Sequence, residues 1–305
     1  MLIFLSGLFL FLLGLEGSKR GLGRVASTKV ELALKRLSNS IFLSIFSGVV
    51  VTAILQSSSG VSIIVISLIE AGLLQLKPAI GIMLGANIGT TFTVQIISFP
   101  VIALFPYLII SGLFFMIIGF MLRNKLVDAG LALASFGVVF AGLNMMTGYF
   151  QNPAVSGLIT KILAFSGDNY LLGILLGVII TGIIQSSSAV TGITVSLARN
   201  NLITLPAAIA IALGSNIGTC ITAFLASFNS SRLAKSLARG HFLFNLIGVI
   251  AILPFLGIFN HLVMLTSQNL LRQIANAHTL FNIFNILIFL PFFDTFVSFL
   301  RPKKL

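Results

Sequence analysis

The chain is poor in charge. Six acidic and eighteen basic side chains among 305 residues make only 8% of the sequence charged, against 57% hydrophobic. A water-soluble domain needs a charged shell around its core, and this composition cannot supply one. The mean hydropathy of +1.13 places the protein in lipid. A single cysteine, Cys220, excludes an internal disulfide framework and says nothing about compartment. Its ordinary reading is a small residue at a helix contact. Tryptophan is absent, while phenylalanine occurs 28 times, as expected of lipid-facing and core filler rather than of a cofactor box.

What is present is a series of long apolar stretches, among them Met1 to Leu15, Val101 to Leu122, Gly130 to Met146 and Phe242 to Phe259. They approach or reach the roughly 20 residues that cross a hydrocarbon layer about 30 Å thick. Because they recur along the whole chain, the first is not simply a cleavable signal peptide. The net charge of +12 could indicate a nucleic-acid binder, but the basic residues sit in short connections between apolar segments, where they set topology instead.

The sequence repeats itself. Thr52 to Ser98 aligns without a gap on Thr181 to Ser227, an offset of 129, and about half of the positions are identical. Two polar motifs are duplicated, Gln-Ser-Ser-Ser at Gln56–Ser59 and Gln185–Ser188, and Gly-x-Asn-Ile-Gly-Thr at Gly85–Thr90 and Gly214–Thr219. A weaker match pairs Phe11–Leu15 with Phe140–Asn144, so each copy is expected to begin with a transmembrane helix. Internal symmetry of this kind is characteristic of secondary transporters.

The Gln-Ser-Ser-Ser segments are too short on either side to cross. About 15 apolar residues precede the first motif and about 14 follow it, so each arm covers roughly 20 to 23 Å at 1.5 Å per residue. A re-entrant hairpin with its tip near mid-membrane fits. With one helix, one hairpin and two further helices per copy, and a last helix near Ala277 to Phe299, loops fall on alternating sides. One side then collects Lys19, Arg20, Arg24, Lys29, Lys35, Arg36, Lys77, Arg123, Lys125, Arg232, Lys235, Arg239, Arg301, Lys303 and Lys304. The other collects only Lys161, Arg199 and Arg272. The positive-inside rule puts the N-terminus outside and the C-terminus in the cytoplasm, in the cell inner (plasma) membrane. Three crossings per copy make the repeats inverted. The expected fold is an all-α polytopic membrane protein with two inverted-topology repeats, 1–128 and 129–260, followed by a C-terminal helix and short tail, 261–305.

Polar side chains in hydrocarbon are costly unless paired or facing water, so polar clusters are candidate sites. Serine hydroxyls and free amides at the start of a hairpin's second arm would form an anion site of neutral donors at a positive helix end. Two tips entering from opposite faces would enclose one oxyanion near the midplane. Gln and Thr oxygens and carbonyls of the broken hairpin suit a hard cation such as sodium. No arginine cluster or intramembrane carboxylate accompanies the motifs, so charge neutralisation is expected from co-bound cations. A lone Ser-Ser-Ser in a membrane helix is usually a packing feature; its duplication with the whole constellation reverses that reading. His241-x-x-Phe-Asn245 and His278-x-x-Phe-Asn282 share a spacing that puts His and Asn on one helix face, in packing or in transport.

The paired motifs resemble those of the type II sodium/phosphate cotransporter family, and the resemblance runs from about Leu8 to Asn282. It implies sodium-driven phosphate uptake by alternating access, with no enzymatic activity and no cofactor beyond sodium ions as co-substrate. By this resemblance the phosphate ligands are Ser57, Ser58, Ser59, Ser186, Ser187 and Ser188. The sodium ligands are Gln56, Gln185, Asn87, Asn216, Thr90 and Thr219, with Thr52 and Thr181 beside them. Many bacterial relatives carry a cytoplasmic helical domain resembling phosphate-uptake regulators after the membrane unit; this chain stops at Leu305, so a separate cytoplasmic regulator is one partner to consider, a homodimer another. Animal members carry a large extracellular loop between the repeats, where Phe150 to Asn169 is short. The rival readings are a sodium-coupled carrier of a dicarboxylate or sulfate, and a non-transporting sensor. A third, an intramembrane serine hydrolase built on Ser59 with His241 or His278, is disfavoured because an enzyme needs one nucleophile, not two symmetric copies.

Overall fold

The computed structural model describes residues 1–36, 40–99, 102–157 and 169–302, and for 26–36 the backbone course alone. Lys161, Lys303 and Lys304 lie outside the described residues, as do the side chains of Lys29, Lys35 and Arg36. Helices in chain order are α1 (Leu2–Arg36), α2 (Ile41–Leu55), α3 (Ser58–Glu70), α4 (Leu76–Ile97), α5 (Phe105–Met121) and α6 (Leu126–Phe150). They continue as α7 (Tyr170–Ile184), α8 (Ser187–Arg199), α9 (Leu205–Ser227), α10 (Arg232–Ile252), α11 (Leu256–Met264), α12 (Leu270–Phe289) and α13 (Phe293–Leu300). No strand occurs among the described residues, and seven helical stretches are long and apolar enough to cross a membrane. The protein is thus an all-α polytopic membrane protein.

Two pairs of helices are not among those seven. The arms α2 and α3 have 15 and 13 residues, and α7 and α8 the same 15 and 13. At 1.5 Å per residue each is about 20 to 23 Å long, short of the hydrocarbon thickness. Each first arm starts on a side-chain cap, Ser40 accepting from the Leu43 amide and Asn169 from those of Leu171 and Leu172. Each stops at a glutamine in the left-handed conformation.

The arms lean on the two most buried spans, α4 and α9. Glycine allows this. A β-carbon at Gly85 would sit 1.9 Å from the Ile45 carbonyl oxygen of α2, and one at Gly214 would sit 1.9 Å from the Ile174 carbonyl oxygen of α7. The contact is therefore backbone on backbone, the close approach that small residues permit where lipid removes the usual hydrophobic drive between helices. Elsewhere α1 packs along α6, and α5 covers the other side of α6. The outward face of α5, with Ile117 61% and Phe120 78% exposed, is left to lipid.

Two features differ from the sequence expectation. Helix α1 runs unbroken through Arg36, so Lys19, Arg20 and Arg24 belong to a helix rather than to a connection. The last span begins at Leu270 and passes through a 3-10 turn, Leu290–Phe292, before α13. The same Leu-Pro-Phe turn, Leu253–Phe255, joins α10 to α11. The proline removes an amide from the ladder in both places. His241, Phe244, Asn245 and Leu253-Pro254-Phe255 recur 37 residues later as His278, Phe281, Asn282 and Leu290-Pro291-Phe292. This second duplication relates α10 to α12. At the other edge, Glu70 at the end of α3 accepts from the Ser231 amide at 2.9 Å and from its hydroxyl, tying the first hairpin to the start of α10. These donors hold the Glu70 carboxyl below the ordinary carboxylate range.

Gly85→Ala should push α2 off α4 and destabilise the fold by about 1–3 kcal/mol, the range for overpacking a close contact. Gly148→Ala, with open space around its β-carbon, should be neutral or slightly stabilising. Thermal midpoints of the two variants in detergent would measure this; equal midpoints would show that the backbone contact is not under compression.

Candidate functional site

Both hairpins break in the same way. Gln56 has φ 53° and ψ 29°, and Gln185 has φ 58° and ψ 26°. A residue other than glycine in this region carries roughly 1–2 kcal/mol of strain. Glycine is the usual residue here. Retaining glutamine at both breaks indicates that the side chain has a task. The next residues, Ser57 and Ser186, are N-caps whose hydroxyl oxygens accept from the Gly60 amide at 3.0 Å and the Ala189 amide at 3.2 Å. Because each accepts through a lone pair, its hydroxyl proton remains available to a ligand. The first amides of α3 and α8, on Ser58, Ser59, Ser187 and Ser188, have no acceptor within their own helices.

The two tips, 129 residues apart in sequence, meet. One small cavity is lined by Gln56, Ser57, Ser58 and Ser59 from the first tip and by Gln185, Ser186, Ser187 and Ser188 from the second. Thr90 of α4, Thr219 of α9 and Lys19 of α1 complete its wall. Ser58, Ser187 and Ser188 are buried. Thr90 and Thr219 donate to the carbonyls four residues back, Ala86 at 3.0 Å and Ser215 at 2.8 Å, so their oxygen lone pairs stay free for the cavity.

The remaining candidate residues lie behind this wall. Thr52 and Thr181 are completely buried, one turn before the glutamines, and neither hydroxyl has a hydrogen-bond partner. Asn87 and Asn216 do not line the cavity. The Asn87 amide donates to Asn245 Oδ1 at 2.9 Å, and its own oxygen lies 3.0 Å from His241 Nε2. Asn216 repeats this with Asn282 at 3.2 Å and His278 at 2.9 Å. With the asparagine oxygen as acceptor, each histidine carries its proton on Nε2. These clasps join α4 to α10 and α9 to α12 with the same chemistry, and they explain the shared His/Asn spacing. Each asparagine oxygen keeps one lone pair. Neither histidine lines the cavity, so neither stands beside Ser59 as a base.

The copies differ in one respect. Gln56 is held by its own bonds, its amide donating to the Ala53 carbonyl and its oxygen accepting from the Thr93 hydroxyl. Thr222, at the position of Thr93, donates instead to the Thr219 carbonyl at 2.9 Å. The second glutamine is therefore the less constrained.

Lys19 is the residue that sequence reasoning missed. Sequence reasoning left charge neutralisation to co-bound cations because the charge pattern groups Lys19 with the basic connection after the first span, whereas the uninterrupted α1 carries it into the cavity wall. The signal was its spacing. Phe11, Leu15 and Lys19 recur every four residues on one helix face, and Phe11 and Leu15 are buried.

A family model described as Na+/Pi-cotransporter matches the chain twice, over residues 10–148 and 150–289. The uncharacterized protein YqeW of Bacillus subtilis (strain 168) is 34% identical over 259 residues, covering 84% of this chain and 82% of that protein. YjbB of Escherichia coli (strain K12), whose name provisionally assigns it inorganic phosphate export, is 29% identical over 256 residues, covering 84% of this chain and 47% of YjbB. The chain thus spans about half the length of YjbB. Sodium-dependent phosphate transport protein 2B of Homo sapiens is 40% identical over 93 residues, 28% of this chain and 14% of that protein. No solved structure matches.

Gln185→Gly should remove the strain of the left-handed position and leave the thermal midpoint unchanged or higher, while substrate transport falls. Loss of stability with transport intact would show that this glutamine is structural.

Proposed function

Because this chain belongs to the Na+/Pi-cotransporter family, we propose that it moves inorganic phosphate across the membrane coupled to sodium ions, binding the anion between its two hairpin tips. The observation that carries this reading is the convergence of both Gln-Ser-Ser-Ser tips on one cavity. Six serines from the first turns of two helices line it, and their hydroxyls and leading amides are a donor set suited to a tetrahedral oxyanion.

The sodium half of the reading rests on the other side of each break. Where an arm ends, its last carbonyls lack helical partners and its dipole is negative, so the same tip offers oxygens to a cation and amides to an anion. The unpartnered Thr52 and Thr181 hydroxyls sit at these arm ends, and buried orphan oxygens are costly unless something supplies a partner. Gln56, Gln185, Thr90 and Thr219, with the spare lone pairs of Asn87 and Asn216, complete two related sets of neutral oxygen ligands.

The duplication supports alternating access. Two short hairpins related by duplication would enter from opposite faces, and exchanging their conformations would open the site first to one side and then to the other. In this reading the N-terminus is outside and the C-terminus cytoplasmic, in the plasma membrane, with the direction of net flux set by the gradients.

Purified protein in liposomes should take up labelled phosphate when sodium is concentrated outside and not when choline replaces it. Ser58→Ala and Ser187→Ala should each weaken phosphate binding about tenfold or more, since a hydrogen bond to a charged group is worth roughly 1.5–3 kcal/mol. Ser111→Ala, in α5, should have little effect. Equal uptake in choline would remove sodium from the mechanism, and unchanged affinity in both tip variants would remove phosphate from the tips.

A further inference from the structure

We propose that Lys19 is a built-in counter-ion of the anion site, its ammonium meeting the bound phosphate and standing in for one co-bound cation. The inference rests on the phosphate site proposed above and deepens it. Every other residue lining the cavity is serine, glutamine or threonine, so Lys19 brings the one formal charge to that wall. An ionisable side chain within a membrane-spanning helix normally faces a partner or an aqueous path. Here it faces a set of donors that can bind an anion and cannot neutralise it.

The geometry of α1 fixes this direction. Gly17 and Gly21 press against α6: a β-carbon at Gly17 would lie 2.3 Å from Ser135 Oγ, and one at Gly21 would lie 2.6 Å from the Ala132 amide nitrogen. Lys19 is two residues, about 200°, from each, so it points away from α6. On that side Phe11 abuts α8, where a β-carbon at Gly192 would meet its ring at 2.4 Å. The stripe Phe11, Leu15, Lys19 thus runs along the hairpins and ends at their tips. α1 also contacts α2, so one helix touches both hairpins.

The charge on Lys19 is only partly balanced. Its ion-pair partner is Glu16 at 4.0 Å, but Arg20 holds that same carboxylate at 3.0 Å, and Glu16 is 52% exposed while Lys19 is 28% exposed. One carboxylate shared between two cations leaves a net positive charge beside the cavity. A lysine is a compact charge on a flexible stem and can follow an anion through small movements of the tips. In low dielectric it also attracts phosphate far more strongly than a surface lysine would.

The test is phosphate binding by calorimetry across a range of sodium concentrations, with wild type, Lys19→Gln and Lys19→Arg. Lys19→Gln should raise Kd about tenfold or more and make binding depend more steeply on sodium, because a cation must replace the lost charge. Lys19→Arg should stay close to wild type in both respects. A second route guards against misfolding: Lys19→Cys should bind weakly, recover after modification with an ethylammonium thiosulfonate, and not recover with a neutral methyl reagent, Cys220 being 1% exposed and out of reach. Unchanged affinity and sodium slope in Lys19→Gln, or equal rescue by both reagents, would overturn the role of Lys19 even while Ser58→Ala weakens binding. Absence of phosphate binding in wild type would instead overturn the phosphate site itself.

Discussion

A helix that stops inside a membrane leaves the amides of its first turn and the carbonyls of its last without partners, at several kcal/mol for each group that stays unsatisfied. In this protein four helices end at the two hairpin tips, two at each, and the surrounding helices position those ends. Ser57 and Ser186 cap one amide each with a side-chain oxygen. The residues that carry the amides left over, Ser58, Ser59, Ser187 and Ser188, line one shared cavity. In the proposed function, binding completes a hydrogen-bonding requirement that the broken hairpins create, with amides offered to an anion on one side of each break and carbonyls to a cation on the other.

The frame around the tips is made from backbone and amide contacts rather than from bulk. Gly85 and Gly214 bring α4 and α9 against the first arms closely enough that a methyl group would collide with a carbonyl. The clasps of Asn87 with His241 and Asn245, and of Asn216 with His278 and Asn282, then join those spans to α10 and α12. Such interhelical bonds between buried amides and imidazoles are directional, whereas lipid-like side chains slide past one another. Each clasp lies one helical turn from the cavity wall, since Asn87 and Thr90 share α4 as Asn216 and Thr219 share α9.

Much of this is legible in the sequence. The hairpins can be read from two facts, the duplication of Gln-Ser-Ser-Ser and the shortness of its flanking arms, and the arms of 15 and 13 residues have the expected lengths. Membership of the cavity is legible for the serines, the glutamines and for Thr90 and Thr219, because a polar residue duplicated within an apolar repeat is costly in lipid unless it serves a site. The asparagines are harder. Their motif marks them as polar, but which partner an amide finds depends on a helix 158 residues away for Asn87 and 66 residues away for Asn216. Lys19 misleads for a different reason: a cluster of basic residues after an apolar stretch ordinarily marks the end of a span, and only the unbroken α1 reveals that this one residue turns inward. The relation of α10 to α12 is visible in part through its His and Asn, while the repeated Leu-Pro-Phe segments gain meaning only because both interrupt a span with a 3-10 turn.

The central claim is that two hairpin tips, one from each half, build a single anion site. The stoichiometry of phosphate binding, titrated calorimetrically in saturating sodium, tests it most directly. The account predicts one phosphate per chain in wild type, with a variant in either tip lowering affinity at that same single site. Two phosphates per chain, with each tip variant abolishing one and leaving the other untouched, would show that the tips are separate sites and would contradict it.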